Sequence, residues 1–155
     1  MLSKVPPIPA GYHSVTPYLL IGGAEAAIEF YTKAFGAVEV LRLTSPDNRI
    51  GHAEIRIGDS HVMLADEHPE MDFLGPQSRG GTTVSLLIYV DDADAVFARA
   101  IAAGATELRP MCDQFYGDRS GAVTDPWGHV WSIASRIEAI SHEEIQRRFQ
   151  ELYGD

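Results

Sequence analysis

The sequence predicts an α+β fold: two tandem βαβββ modules forming an open, trough-like mixed β-sheet pair with helices outside. Three observations carry this. The chain says nearly the same thing twice, A-F-G-A-V-E-V-L-R around Gly36 and A-A-G-A-T-E-L-R around Gly104, 68 positions apart. Each glycine closes a run with helical spacing and opens a strand-like one. The apolar runs V-T-P-Y-L-L-I and V-S-L-L-I-Y-V lead into the two helical segments. With only two copies, each module must bury its apolar face against the other. The seam between such modules is a favoured place for ligands.

The elements follow in order. An apolar strand at 15–21 ends at Gly22-Gly23. A helix over 24–35 recurs at Ala24, Ile28, Tyr31 and Phe35, and Gly36 stops it. A strand at 38–44 reaches the turn Ser45-Pro46-Asp47-Asn48. Residues 51–57 alternate, Ala53, Ile55 and Ile57 against His52, Glu54 and Arg56, and Gly58-Asp59 turns the chain into a strand at 61–65. Module 1 covers about 14–66. The polar, Pro- and Gly-rich stretch 67–81 reads as a linker. Module 2, about 82–135, restarts the pattern with a strand at 83–90 and a helix at 92–103 that points Ala93, Val96, Phe97, Ala100 and Ile101 inward. A short strand at 106–109, a loop at 111–118 and a hairpin of 119–124 with 129–134 around D-P-W-G complete it. A last helix, 141–153, starts at a capping box of Ser141 and Glu144. Its stripe of Ile145, Phe149, Leu152 and Tyr153 has no counterpart in the repeat and predicts a flap or a homodimer contact.

Composition removes whole classes of function. At 155 residues one compact domain is expected, and a net charge of −10 argues against nucleic acid, which needs a basic surface. The same charge suits a cationic ligand. No apolar run approaches a membrane span and the N-terminal arm lacks a leader's apolar stretch, so a cytoplasmic protein without membrane contact is expected. The single cysteine, Cys112, excludes a disulfide framework within the chain and reads as a buried or incidental thiol. No G-x-S-x-G, P-loop or dinucleotide fingerprint is present.

The segments A-I-E-F-Y-T-K-A-F-G-A at 27–37 and Y-G-D-R-x-G-x-V-x-D-P-W-G-H at 116–129 resemble the vicinal oxygen chelate superfamily. That group includes glyoxalase I, extradiol dioxygenases, fosfomycin-resistance transferases and bleomycin-resistance proteins. With V-T-P-Y-L, G-H-A-E-I-R-I-G-D-S and D-Q-F-Y-G-D-R, the chain looks most like the PhnB-like branch. The resemblance covers roughly 14–138 and implies paired or swapped modules around a small-molecule site. It also implies a divalent metal held by His and Glu from the first and fourth strand of each module. Carried over one at a time, those positions fall on Thr16, Met63, Ser85 and Ser132. Hydroxyls and a lone thioether make no divalent site, so no metal and no cofactor are expected there.

The residues leave a displaced metal site open: His52 and Glu54 share one strand face, and Glu67 or His129 could join them. The competing reading makes His52, Glu54 and Arg56 a polar stripe. Tyr18 and Tyr89, with the parity of Thr16 and Ser85, point into the trough and either stack on a flat ligand or fill the barrel. Asp113, Gln114, Tyr116, Asp118 and Arg119 cluster in one loop, where Tyr116 and Arg119 are the favoured ligand contacts unless Arg119 instead pairs with Asp118 or Asp125 and shapes the turn. Trp131 reads as core. Two functions therefore stay open. One is a binder that sequesters a small molecule at Thr16, Tyr18, His52, Glu54, Ser85, Tyr89, Tyr116, Arg119 and Ser132. The other is a metal-dependent lyase or dioxygenase-type enzyme around His52 and Glu54.

Overall fold

The computed structural model describes residues 5–154. The chain divides into two compact units, 1–81 and 82–155, and each carries one βαβββ module. In the first, β1 (Tyr18–Ile21), α1 (Ala24–Phe35), β2 (Val38–Thr44), β3 (Ile50–Ile57) and β4 (Ser60–Asp66) build a mixed sheet of order β1-β4-β3-β2. Only β1 and β4 run parallel, so α1 must carry the chain from one edge of the sheet to the other. A 3₁₀ turn at Pro69–Met71 and the one-turn α2 (Pro76–Arg79) follow. The second unit repeats the plan with β5 (Ser85–Tyr89), α3 (Ala93–Ala103), β6 (Thr106–Asp113), β7 (Asp118–Thr124) and β8 (Val130–Arg136), in the order β5-β8-β7-β6. It ends in α4 (His142–Tyr153). Among the described residues no helix is long and apolar enough to cross a membrane.

Alternation decides which sheet face meets the helix. Leu19, Ile21, Ala53, Ile55, Ile57, Val62 and Leu64 are buried against Ala27, Ile28, Tyr31 and Phe35 of α1's buried side. The second core is built around Trp131, Ile133 and Val123, with Val96 and Ala100 of α3. The repeat extends to how each helix is started. The fourth strand of unit 1 supplies Asp66, which accepts from the N–H groups of Gly23 and Ala24. The fourth strand of unit 2 supplies Ser135, which accepts from the Ala93 N–H at 2.9 Å and donates to the Val90 carbonyl. Each covers helix N–H groups that have no partner within the helix.

Several boundaries differ from the expectation. β1 begins at Tyr18 rather than 15, because Pro17 has no N–H for a ladder and Thr16 turns its hydroxyl onto the His13 carbonyl. β6 does not stop at 109. It runs through Pro110 to Asp113, so residues 111–113 are strand, not loop. It is an edge strand, where proline is tolerated, and register shifts around Arg109 absorb the misfit. Ile101 faces outward, since α3 packs through the smaller Ala93, Val96 and Ala100. Cys112 is exposed on the edge strand.

Helix α4 buries none of its residues. Ser141 caps it through the Glu144 N–H, but Glu144 does not reach back as a capping box would; its carboxylate binds Arg147 and Arg148. Arg148 also binds Glu138 and the Phe115 carbonyl, and Phe149 and Tyr153 meet the Phe115 ring. The stripe is therefore partly used within its own unit. Arg147 first, then Arg148, holds the Glu144 carboxyl down to about 2. A depressed carboxyl contributes stability above its unfolded value, roughly 4.3, and that contribution is lost as pH falls through the folded value. Protection of residues 142–153 in hydrogen exchange should hold from pH 7 to about 4.5 and fall between about 4 and 2. Protection that stays level down to about pH 2 would show that these pairs do not hold the helix.

Candidate functional site

The face of the first sheet turned away from α1 carries the polar residues. Tyr18 lies opposite Met63 on β4, and Met63 lies opposite Glu54 on β3. The Tyr18 hydroxyl stands 2.8 Å from His52 Nδ1, and His52 Nε2 stands 3.1 Å from Glu54 Oε1. The other Glu54 oxygen accepts from the hydroxyl of Tyr12, in the arm before β1. Tyr12 stacks on His61 with ring centroids 3.9 Å apart, and His61 Nδ1 meets the Gly11 carbonyl. Glu54 is acceptor-only as a carboxylate, so His52 Nε2–H donates to it, and in that tautomer Nδ1 accepts from the Tyr18 hydroxyl. Burial pushes the Tyr18 hydroxyl up, which keeps that proton on the phenol.

Beside this chain lies a cavity of about 510 Å³ lined by Tyr18, Leu20, Gly51, Ala65, His68, Met71 and Phe73. Its wall is largely apolar, and Tyr18 is its link to the polar chain. Because that hydroxyl's proton is committed to His52, Tyr18 offers the cavity an acceptor.

A second cavity, about 840 Å³, lies within unit 2, lined by residues that include Tyr89, Asp91, Tyr116, Asp118, Arg136 and His142. The Tyr89 hydroxyl donates to Asp118 Oδ2 at 2.8 Å. That bond, then burial, raises the Tyr89 hydroxyl above the usual phenol value.

The other expected site residues are placed as follows. Ser85, Leu87 and Tyr89 share the exposed side of β5, and Ser132, opposite Leu87, accepts from Arg109 at 3.4 Å. Arg119 does not reach toward Tyr116 or the cavity. It sits on the helix side of β7 and is clamped by Asp94 of α3 and Asp113 of β6, which raise its already high pKa. This follows from its place opposite Ser135, on the face that caps α3. Glu67, the suggested third metal ligand, spends one oxygen on the Gly75 N–H at 2.7 Å, and His129 belongs to the other unit. Among the described residues no three His, Cys, Asp or Glu side chains gather as a metal site. Thr16, Met63, Ser85 and Ser132 bring only hydroxyls and a thioether, and His52 already engages both ring nitrogens. The first set has no donor suited to a divalent ion, and the residues of the second are not gathered to hold one. Tyr12, His61, Met71, Phe73 and His142 went unsingled in the sequence, and Ile145 was read only as part of the α4 stripe. Of these only His61 carried a signal, its strand parity with Met63.

Fold and site now stand together, and the chain belongs to the glyoxalase/bleomycin resistance protein/dioxygenase superfamily, whose family model matches residues 12–133. An uncharacterized protein of Mycobacterium bovis is 43% identical over 136 residues, covering 86% of this chain and 90% of that protein. Among solved structures, TioX from Micromonospora sp. ML1 is 26% identical with a TM-score of 0.63, covering 83% of this chain and all of that one. The PhnB protein from Bacillus cereus, described as a putative 3-demethylubiquinone-9 3-methyltransferase, shares the fold at 21% identity and TM-score 0.61, over 81% of this chain and 100% of that one.

Proposed function

We propose that this chain is a small-molecule-binding, PhnB-like member of the superfamily that holds and sequesters its ligand without a metal. The observation that carries the reading is the Tyr12–Glu54–His52–Tyr18 chain beside an apolar cavity. It occupies the donors a displaced metal site would need, and it sets one oriented acceptor at the edge of apolar wall. Such an arrangement suits a flat apolar body that donates a single hydrogen bond. The displaced-site enzyme reading would require His52 to release Tyr18 or Glu54.

The test uses 1-naphthol and its methyl ether as fluorescent probes of the full chain. Naphthol should bind about tenfold more tightly, because the ether leaves the Tyr18 acceptor unmet. Tyr18→Phe should erase the difference, and chelator should leave both affinities unchanged. Stoichiometric zinc or iron lost on His52→Ala, or probe binding that needs metal, would overturn the proposal.

The chain also belongs, on this reading, in the cytoplasm as a homodimer. The lone exposed Cys112 and the partly uncovered residues Phe149, Leu152 and Tyr153 support it. Light scattering that gives a monomer at micromolar concentration would remove the dimer.

A further inference from the structure

The second cavity has a chemistry that the first lacks. Asp118 is 6% exposed, yet it has no ion pair among the described residues. An ionised carboxylate offers about four acceptor positions, and the Tyr89 hydroxyl is the one side-chain donor that meets it. Arg136 is its cross-strand neighbour but directs Nε to the Glu138 carbonyl at 3.4 Å. A carboxylate so placed is costly unless a donor or cation completes it. The rings of Tyr89 and Tyr116 line the same space, and aromatic faces attract cations.

We infer that the second unit carries a seat for an organic cation, a ligand with an ammonium or guanidinium group that Asp118 pairs and Tyr89 and Tyr116 flank. Charge in the lining favours this sign. Asp91 and Arg136 are both exposed, where water screens them, so the buried carboxylate of Asp118 sets the charge of the seat. The positive end of α4 does not reverse the balance, since Ser141 caps it and its first turn holds Glu143 and Glu144. Ile140, His142 and Ile145, which help to line the seat, lie beyond the residues matched by the family model. It needs no part of the Tyr18 cavity.

The experiment compares phenethylammonium with neutral 2-phenylethanol by calorimetry on the full chain, in about 0.3 M NaCl to suppress diffuse attraction by the acidic surface. Phenethylammonium should bind about tenfold or more tightly than the alcohol. Asp118→Asn should remove most of that preference, although it changes the net charge by only one. Tyr116→Leu, a change at a partly exposed ring, should weaken the ammonium about threefold to tenfold while the thermal midpoint stays put. Tyr89→Phe should keep the preference, because the carboxylate then turns to the ligand alone. Equal affinities for the two probes, or a preference that survives Asp118→Asn, would overturn the seat. If Asp118→Asn fails to fold, a Tyr116→Leu chain that binds the ammonium as tightly as the parent would overturn it equally.

Discussion

Asp125→Ala is expected to destabilise the second unit by about 4 kcal/mol, the largest effect of any polar substitution in the chain. Asp125 is 3% exposed and its carboxylate serves at least three donors at once. Oδ1 accepts from the N–H groups of Trp127 and His129, each at 3.0 Å, and Oδ2 accepts from the indole of Trp131, also at 3.0 Å. Trp131 is among the largest fully buried side chains. One residue therefore shapes the D-P-W-G turn and fixes the centre of the core. Alanine would leave the indole N–H and the two turn amides without their acceptor. Asparagine would not rescue it, because these three partners are donors and the amide supplies one acceptor oxygen. Its cost should be about 2–3 kcal/mol. Urea unfolding would measure both. Trp131→Phe and Asp125→Ala should also combine less than additively, since each removes the same bond. Full additivity would mean that the indole bond contributes nothing.

Gly117→Ala should cost about 3 kcal/mol and should also remove binding at the second cavity. Gly117 has φ +93, and a Cβ there would stand 2.7 Å from the Glu138 carbonyl oxygen. That contact is backbone against backbone, so no side chain can swing aside. The Gly117 carbonyl accepts from the N–H groups of Ile137 and Glu138, which folds the chain leaving β8 back over the β6–β7 turn. This doubled strip leads to Ile140 and His142 and so holds that part of the cavity lining in place. Alanine should release 137–153, raise protease cleavage in that stretch and abolish phenethylammonium binding, with β5–β8 still folded. A variant that melts within about a degree of the parent would refute the argument.

The legible part of the fold was the part governed by period and punctuation. α1 and β2 have the bounds that apolar spacing and Gly36 imply. Trp131 is core as its alternation requires. The failures came where a local signal was overruled by position in the sheet. Pro110 reads as a breaker, but an edge strand with shifted register accommodates it. Ile101 reads as core by helical spacing, but α3 packs through Ala93, Val96 and Ala100, which leaves Ile101 exposed and Phe97 half-buried. At the sites, parity placed Tyr18, His52 and Glu54 on one face, and the structure joins them. Arg119 was illegible because a residue beside Asp118 in the sequence lies on the opposite face of β7, where Asp94 arrives from a distant helix. Tyr12 was illegible because an irregular arm has no period to predict where it lands.

That arm carries a thermodynamic consequence. The phenol that fills the second oxygen of Glu54 is tethered to the seat it occupies, so it competes at an effective concentration on the order of millimolar. Any solute that reaches past Tyr18 to Glu54 must displace a resident group, and its apparent dissociation constant is divided by the fraction of arms that are open. Solutes that stop at Tyr18 escape this competition. The protein would thus discriminate by how deeply a molecule reaches, with Tyr12 as the threshold. Tyr12→Phe, which keeps the stacking on His61 but not the hydrogen bond, should strengthen deep-reaching ligands alone. A uniform change across both kinds would show that the arm sets no threshold.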